Sequence, residues 1–460
     1  MNEHEPLRGY DDLLAIFERS CGGGSFLLGV ESEKIGVRMP SGGPISYDGR
    51  LCGVLRVFDS LCAKFGWEPV REYEGGPVVA IEREWAAVAG GSPAKQCVTL
   101  EPGAQLELSG APLATVHETE AELVEHLAEL DEVGRDCEMR WLGIGFRPLA
   151  TLDDLPWVPK QRYRIMRDYF PTVGTRGLDM MRRTATVQVN LDYEDEADAM
   201  RKLRVGLKLA PLMSAIFANS PFVEGEFGEN SSERAMVWTD TDRHRTGLIE
   251  AVWASGAGFR DYVEWALDVP MYLFKREGAV VANTGQTFRS FFSDGYEGHR
   301  ATHGDWESHL GTLFPEARLK TTIEMRSVDS LPRALLPAVP AMWAGLLYDD
   351  AALCRVESLC ADWQYDEVEH LRAAIARDAL GARFRDEDLR GLAESLLEIA
   401  QGGLRRRAIL DARGRDETVY LEPIVSLIGA GRCPADDLRD AVREGSDEQR
   451  RVKMIEVSTA

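Results

Sequence analysis

Two stretches of the sequence carry glutamates at spacings that a β-strand would turn to one side. Glu31 and Glu33 in GVESEKIG are two residues apart, which is the period at which strand side chains share a face. In TLEPGAQLELSG, polar and apolar residues alternate from residue 105 on, and Glu101 has the same parity as Glu107. Pro102-Gly103 can bend or bulge that strand. Both stretches therefore predict carboxylates on strands with apolar backs.

Two further stretches alternate in the same way. In TATVQVNLD, Gln188 and Asn190 share the polar face, and in LKTTIEMR, Lys320, Glu324 and Arg326 share it. A solvated face is the ordinary interpretation of such a strand, because antiparallel sheets commonly leave one face wet. Glutamates and amides predominate here, however, which favours a binding site over a merely wet surface.

Clustered carboxylates repel one another and raise one another's pKa values, and a hard divalent cation removes that cost. Oxygen-only ligands suit Mg²⁺, which often carries substrate phosphates, and Mn²⁺ also fits them. We therefore expect a carboxylate-lined site for two or three Mg²⁺ ions with ATP. The sequence has no GxxxxGK loop, so metals and arginines would have to hold the phosphates.

The order of the predicted elements points to one fold class. Strands come first and are interleaved with helices at irregular separations, and the chain beyond about residue 332 is mostly helical. That order predicts an α+β fold with a mostly antiparallel sheet. No segment convincingly divides the sequence, so we expect one domain over residues 1–460.

Composition excludes several partners. The net charge is −23, from 53 basic and 76 acidic residues, and such a surface repels nucleic acid and acidic membranes. We find no apolar run long enough to span a membrane and no secretory signal at the acidic start of the sequence. The eight cysteines contain no CxxC pair, which suggests free thiols in a reducing cytoplasm. The sequence leaves open whether the protein is a monomer or a homodimer.

Taken together, the motifs resemble those of the glutamate–cysteine ligases of the plant and proteobacterial type. They run in family order from about residue 26 to residue 430. The matching segments are LEPGAQLELSGAPL, GIGFRP, PKQRYRIMRDYFPTVGTRGLDMMRRTATVQVNLDY, ANSPF, WTDTDRHRTG, EWALDVPMYLF, DWESHLGTLFPEARLK and GLLYD. So long a collinear match is specific.

The resemblance implies a glutamine synthetase-like domain with a cupped, mostly antiparallel sheet flanked by helices. It also implies a reaction in which ATP phosphorylates the γ-carboxylate of L-glutamate and the amine of L-cysteine attacks the acyl phosphate. The product is γ-glutamylcysteine, the precursor of glutathione, and Mg²⁺ is the expected cofactor. No nucleophilic side chain is needed, so we assign no catalytic role to a cysteine.

The resemblance also assigns roles to single residues. The carboxylates of Glu31, Glu33, Glu101, Glu107 and Glu324 match the family's metal ligands, and Glu31 and Glu33 would bind the nucleotide through the metal. Gln188 and Asn190 match polar wall positions near metal and substrate. Arg234 matches an arginine that holds the α-carboxylate of glutamate, and Arg245 and Arg326 are candidate catalytic residues that contact phosphate or carboxylate.

The sequence departs from the family pattern in three places. Ser32 replaces the usual histidine between the two glutamates of the first strand, on the opposite face. Ser327-Val328-Asp329-Ser330 replaces a glycine-rich loop after Arg326, which leaves open a related ligase that uses a different amine. FFSDGYEGHRATHGD lacks the cysteine of a regulatory hairpin found in plant enzymes, so we expect no thiol switch there. An inactive metal-binding homologue is the other alternative, and the intact set of glutamates disfavours it.

Overall fold

The computed structural model describes residues 3–22, 26–49, 53–85, 94–276 and 278–460. Within them the chain folds into a mixed helix and sheet architecture. The strands, in chain order, are β1 (Leu28–Arg38), β2 (Glu68–Arg71), β3 (Val78–Trp85), β4 (Ala94–Leu100), β5 (Leu106–Ser109), β6 (Met139–Leu142), β7 (Thr186–Leu191), β8 (Phe222–Val223), β9 (Glu226–Phe227), β10 (Thr246–Gly247), β11 (Leu273–Arg276), β12 (Ala279–Ala282), β13 (Phe314–Pro315), β14 (Ala317–Leu319), β15 (Ile323–Asp329), β16 (Arg383–Phe384) and β17 (Glu387–Asp388).

The helices surround and follow this sheet. In chain order they are α1 (Tyr10–Glu18), α2 (Val54–Phe65), α3 (Val116–Asp136), α4 (Gln161–Tyr169), α5 (Gly177–Arg183), α6 (Glu196–Ile216), α7 (Glu233–Trp238), α8 (Phe259–Leu267), α9 (Phe288–Asp294), α10 (His303–Leu310), α11 (Ala338–Leu347), α12 (Asp350–Leu359), α13 (Tyr365–Asp378), α14 (Leu389–Arg407), α15 (Glu422–Gly429), α16 (Pro434–Val442) and α17 (Asp447–Val457).

The main sheet has nine strands in the order β14-β15-β7-β1-β5-β4-β3-β2, with β6 paired to the second half of β1. Every pairing in this sheet is antiparallel. The eleven-residue β1 lies near its centre between β7 and β5, and Val30 and Ile35 of β1 are buried in two different apolar clusters. The predicted α+β class with a mostly antiparallel sheet is confirmed.

Helices cover the apolar side of the sheet. α6 comes so close to β15 that a Cβ atom on Gly206 would lie 2.6 Å from the sulfur of Met325. That contact places Met325 behind the sheet, and the alternation of β-strand side chains then turns Glu324 and Arg326 to the other side. The polar faces predicted from the sequence therefore point away from the main helix layer.

Two predicted single strands are hairpins instead. TLEPGAQLELSG contains the end of β4, a turn at residues 101–105 and then β5, with Thr99 opposite Glu107. LKTTIEMR contains the end of β14, a turn that includes Lys320, and the start of β15. The equal-parity arguments for Glu101 and for Lys320 were therefore wrong, because neither residue belongs to the strand whose period was counted. At Pro102-Gly103 the chain reverses completely instead of bending within one strand.

The region beyond residue 332 is mostly helical, as predicted. Its helices share the apolar core of the sheet, for one buried cluster includes both Leu13 near the start and Ile428 near the end. A second, smaller cluster joins Ile35 of β1 to Leu438 and Met454 of the last two helices. Among the described residues, no helix has both the length and the apolarity that crossing a membrane would require.

Candidate active site

A cavity of about 360 Å³ opens over the polar side of the main sheet. Four of the five predicted metal ligands line it, namely Glu31, Glu33, Glu101 and Glu107. Its far wall comes from α4, α5 and α7, whose side chains face the sheet across the opening. The carboxylates that the sequence places on separate segments are thus brought into one hollow.

β1 positions the first two carboxylates by its pairing on both sides. Glu33 lies directly opposite Glu107 of β5, and Glu31 lies opposite Gln188 of β7. Glu31 accepts a hydrogen bond of 2.9 Å from the side-chain amide of Asn190, and Glu33 accepts one of 3.0 Å from the backbone N–H of Thr186. The sheet register, rather than any sequence motif, therefore fixes the distance between these groups.

A tight turn brings Glu101 to the same cavity. The N–H of Glu101 donates to the carbonyl of Gln105 at 2.9 Å, and Ala104 adopts a left-handed conformation with φ of 64°. The Gln105 side chain fills the turn, since its oxygen accepts from Gly103 and its amide donates to Thr184. Glu101 therefore reaches the site from a loop that its own neighbours hold rigid.

The cavity carboxylates raise one another's affinity for protons. Burial, followed by Glu324 and Glu107, raises the pKa of Glu31 from 4.5 to about 8. Burial, followed by Glu107 and Glu101, raises the pKa of Glu33 well above its ordinary value. Burial and Glu101 also raise the pKa of Glu107, although the hydroxyl of Thr99 donates to it at 2.5 Å. In this part of the cavity, burial and mutual repulsion outweigh the hydrogen bonds that favour the ionised carboxylates.

Glu324 has a different environment. It is fully buried between basic side chains, and Arg318, directly opposite it in the β14–β15 hairpin, donates to it at 2.7 and 2.8 Å. Arg326 also pairs with it, and the ammonium of Lys320 lies 3.6 Å away. Burial alone would raise the pKa of Glu324, but Arg318 and Arg326 hold that pKa well below its usual range. Glu324 thus anchors basic residues, and only Arg318, Lys320 and Arg326 of this group line the cavity.

The two predicted amides occupy different positions. Gln188 lines the cavity and accepts a hydrogen bond from Arg326. Asn190 stands one layer behind, where it donates to Glu31 and accepts from the hydroxyl of Thr322 at 3.0 Å. Asn190 therefore orients a carboxylate, while Gln188 faces the cavity itself.

Arg234 lines the cavity from the first turn of α7. Its guanidinium donates to the carbonyls of Ser327 at 3.2 Å and Arg326 at 2.6 Å and lies 4.0 Å from Asp329. These contacts leave N–H groups on the cavity side, since an arginine has five. The placement suits a group that binds an anionic part of a ligand.

Arg245 does not line the cavity. Its guanidinium is fully buried, forms an ion pair of 2.6 Å with Asp242 and lies over the ring of Tyr272 at 3.8 Å. It also donates to the carbonyls of Pro270 and Thr312, so the surrounding chain takes up its donors. The sequence suggested a contact with phosphate; the structure places Arg245 behind the wall, with Thr312 as its link to the cavity.

The sequence alone does not assign a role to several cavity residues. Arg318 and Lys320 are two of them: the β14–β15 hairpin places Arg318 opposite Glu324 and brings Lys320 close to the same carboxylate. Arg162 and Tyr163 belong to the basic stretch PKQRYRIMRDY, and both line the cavity from α4. A basic run inside an acidic protein was the available signal for this second pair.

The carboxylates fit hard cations by their chemistry. Each donor is an oxygen, and burial together with mutual repulsion raises the pKa values of Glu31, Glu33 and Glu107, a cost that a bound cation would remove. Their side chains line the cavity without closing on a common point: across the described ranges, no three acidic, histidine or cysteine side chains are close enough to hold one ion.

Comparisons with known proteins identify the family of the chain and proteins with a similar fold. The sequence model of glutamate–cysteine ligase family 2 matches residues 27–454. The chloroplastic glutamate–cysteine ligases of Brassica juncea and Arabidopsis thaliana are each 42% identical to the chain over 438 residues, covering 94% of it and 81% and 80% of their own lengths. A crystal structure of a glutamate–cysteine ligase from Francisella tularensis in complex with AMP has a similar fold. Its TM-score is 0.57 at 11% identity, with 95% of this chain and 89% of that one covered.

Proposed function

The chain belongs to glutamate–cysteine ligase family 2, and we propose that it joins L-glutamate to L-cysteine at the expense of ATP. The observation that carries this proposal is the single cavity in which four glutamates face Arg162, Arg234, Lys320 and Arg326. Such a site suits a reaction between anionic substrates, in which the protein must neutralise charge and fix positions.

The reaction has two steps. The γ-carboxylate oxygen of glutamate attacks the γ-phosphorus of ATP, and ADP leaves. The amine nitrogen of cysteine then attacks the carbonyl carbon of this mixed anhydride, loses a proton and expels inorganic phosphate. A carboxylate is a poor electrophile, so the phosphorylation supplies the leaving group that amide formation needs.

The basic residues of the cavity would hold the charges in place. Arg234 would bind the α-carboxylate of glutamate, since its fork can form a bidentate pair. Arg326 and Lys320 stand beside Glu324, which fixes Arg326 so that it need not reorganise when a phosphoryl group arrives. Arg162 would meet the remaining phosphates from α4.

Glu31, Glu33, Glu101 and Glu107 would hold Mg²⁺, or Mn²⁺ in its place. The bound ions would screen the phosphate charges and orient ATP. Glu324 would join this ligand set only after Arg318 and Arg326 loosen their ion pairs with it. We therefore propose the first four carboxylates as the metal ligands and Glu324 chiefly as the group that positions Arg326.

A coupled assay of ADP release tests the proposed reaction. We expect turnover that requires glutamate, cysteine and Mg²⁺ together, with γ-glutamylcysteine detected by mass spectrometry. A panel of amines offered in place of cysteine tests the related-ligase alternative, which the altered sequence after Arg326 supports. The expected loop at that place was wrong, because Ser327, Val328 and Asp329 belong to β15. Turnover with another amine and none with cysteine would replace the proposed acceptor. Mg²⁺ binding in calorimetry without any ATP turnover would identify an inactive homologue.

We also propose a reducing compartment such as the cytoplasm. Six cysteines in the described part of the chain have free thiols, namely Cys21, Cys62, Cys97, Cys354, Cys360 and Cys433. The compared plant relatives are named chloroplastic, so location is a separate question from activity. Cell fractionation followed by detection of the protein tests this proposal.

A further inference from the structure

Asp329 is a buried carboxylate that the proposed reaction does not use. It ends β15, is 2% exposed and lies beside Arg234 rather than in the lining of the cavity. The chain makes room for it at Gly145, where a Cβ atom would lie 2.3 Å from the carboxyl carbon of Asp329. Burying a charged carboxylate is costly unless hydrogen bonds and an opposite charge compensate it, so its partners indicate its role.

The carboxylate accepts hydrogen bonds from three directions. One oxygen accepts from the N–H of Asn219 at 2.8 Å and from the hydroxyl of Ser220 at 2.7 Å. The other accepts from the hydroxyl of Ser232 at 2.8 Å. Both serine protons are thus directed at Asp329, which leaves their oxygen lone pairs free to accept.

Those lone pairs accept hydrogen bonds from backbone N–H groups in the first turn of α7. The oxygen of Ser232 accepts from the N–H of Ala235 at 3.0 Å, and the oxygen of Ser220 accepts from the N–H of Arg234 at 3.3 Å. Asp329 therefore fixes the backbone of Arg234 through the hydroxyl of Ser220 and that of the next residue, Ala235, through the hydroxyl of Ser232. The same strand fixes the side chain of Arg234 through the carbonyls of Arg326 and Ser327.

We propose that Asp329, acting through Ser220 and Ser232, is the positioning residue that sets Arg234 for the anionic end of the amino-acid substrate. The inference rests on the proposed function for the identity of that substrate. Asp329 lies 4.0 Å from the guanidinium, so it also balances the buried charge of Arg234 while its hydrogen bonds are taken up by the serines and Asn219. Asp329 thus positions Arg234 through the serine hydroxyls and not through a direct bidentate ion pair with its guanidinium.

Asp329→Asn tests this role with little change of shape. An amide NH₂ group cannot accept from Asn219 and Ser220, so one side of the network must rearrange. We expect the KM for glutamate to rise about 10- to 100-fold, the size of loss seen when the hydrogen-bond partners that orient metal ligands are removed. The KM values for ATP and cysteine should stay within about twofold, because Arg234 is assigned to glutamate alone. General misfolding, in contrast, would not affect the KM of one substrate selectively.

Ser232→Ala and Ser220→Ala should each raise the KM for glutamate by a smaller factor. These variants test the proposal if Asp329→Asn fails to fold. Thr115→Ala is the matched control, because Thr115 caps α3 with an equivalent bond to Glu118 far from Arg234. It removes a helix cap and should leave the KM for glutamate unchanged. An unchanged KM for glutamate in folded Asp329→Asn, or an equal rise in Thr115→Ala, would overturn the proposal.

A double-mutant cycle with Arg234→Lys separates positioning from general stability. If Asp329 acts through Arg234, the loss in Asp329→Asn/Arg234→Lys is smaller than the product of the two single losses. Independent effects that multiply would contradict the proposal. Calorimetric titration of glutamate into wild type and variants gives the same comparison without turnover, so an inactive wild type would overturn the proposed reaction alone.

Discussion

At the scale of single residues, the site is a set of carboxylates with too few counter-charges. Glu324 has three basic neighbours. In contrast, Glu31 accepts from a side-chain amide, Glu33 from a backbone N–H and Glu107 from a hydroxyl. The same residue type therefore has two functions here. One glutamate holds arginines, and we propose that the others bind cations.

Glu101→Gln tests the assignment of the cation-binding carboxylates. We expect kcat/KM to fall about 100-fold or more, the scale seen when a charge-stabilising group is removed from an active site. The free energy of unfolding of the metal-free protein should stay equal or rise slightly, because one repulsive charge is gone. Glu84→Gln, at an exposed glutamate of the same sheet, is the control. Near-normal turnover of Glu101→Gln at low Mg²⁺ would show that this ligand set is wrong.

Glu31→Gln tests the raised pKa of Glu31. The folded protein binds a proton at Glu31 up to about pH 8, whereas the unfolded chain releases it near 4.5. This contribution to stability is therefore complete below pH 4.5 and is lost as the pH rises through 8. Compared with wild type, metal-free Glu31→Gln should gain roughly 3–4 kcal/mol between pH 5 and pH 8, at about 1.4 kcal/mol for each pH unit.

Denaturant unfolding at several pH values measures the difference in unfolding free energy between Glu31→Gln and wild type. The contributions of other titrating groups are the same in both proteins and cancel in this difference. Saturating Mg²⁺ should remove the pH dependence, because it binds the ionised carboxylate. Glu84→Gln should show a flat difference from wild type. A flat difference for Glu31→Gln as well would mean that Glu31 is ionised throughout this range.

At the scale of elements, two hairpin turns decide which residues reach the cavity. Alternation correctly placed Glu31, Glu33, Gln188 and Asn190, because each pair lies within one strand. Glu101 and Lys320 lie in turns, where residue parity carries no information. Arg318 could be assigned only once β14 was known to pair with β15, since its role comes from register. Turn position and strand register are the parts of the site that residue parity does not give.

Gly103→Ala tests the turn that carries Glu101. An added Cβ would lie 2.4 Å from the carbonyl oxygen of Arg182, a backbone atom that cannot move aside. We expect a loss of about 1–3 kcal/mol in unfolding free energy, as for overpacked sites, and a weaker affinity for Mg²⁺. Thermal unfolding and metal titration measure the two effects.

Gly285→Ala is the matched control for that substitution, because its added Cβ meets nothing within 4 Å. It should change neither unfolding nor metal affinity. If Gly103→Ala behaved in the same way, the turn would be more adaptable than its packing indicates, and Glu101 would not depend on it.

At the scale of the whole molecule, the helical C-terminal region supports the strand that carries the site. α17 places Met454 and Ile455 against Ile35 and Val37 of β1, a few residues beyond Glu33. The chain end also closes on the sheet, where the N–H of Ala460 donates to the carbonyl of Trp141 at 2.8 Å. We therefore predict that residues 1–460 unfold as one domain.

Met454→Ala tests this unity. Removing a fully buried methionine leaves a cavity under β1 and should cost about 2–5 kcal/mol of unfolding free energy. Val452→Ala, at a 40% exposed position of the same helix, should cost far less. Helix content and ligase activity should disappear in one denaturant transition in both variants, with the midpoint lowered for Met454→Ala. An early transition that removes C-terminal helix while activity persists would divide the chain into two domains, since the sheet would then hold its carboxylates without that support.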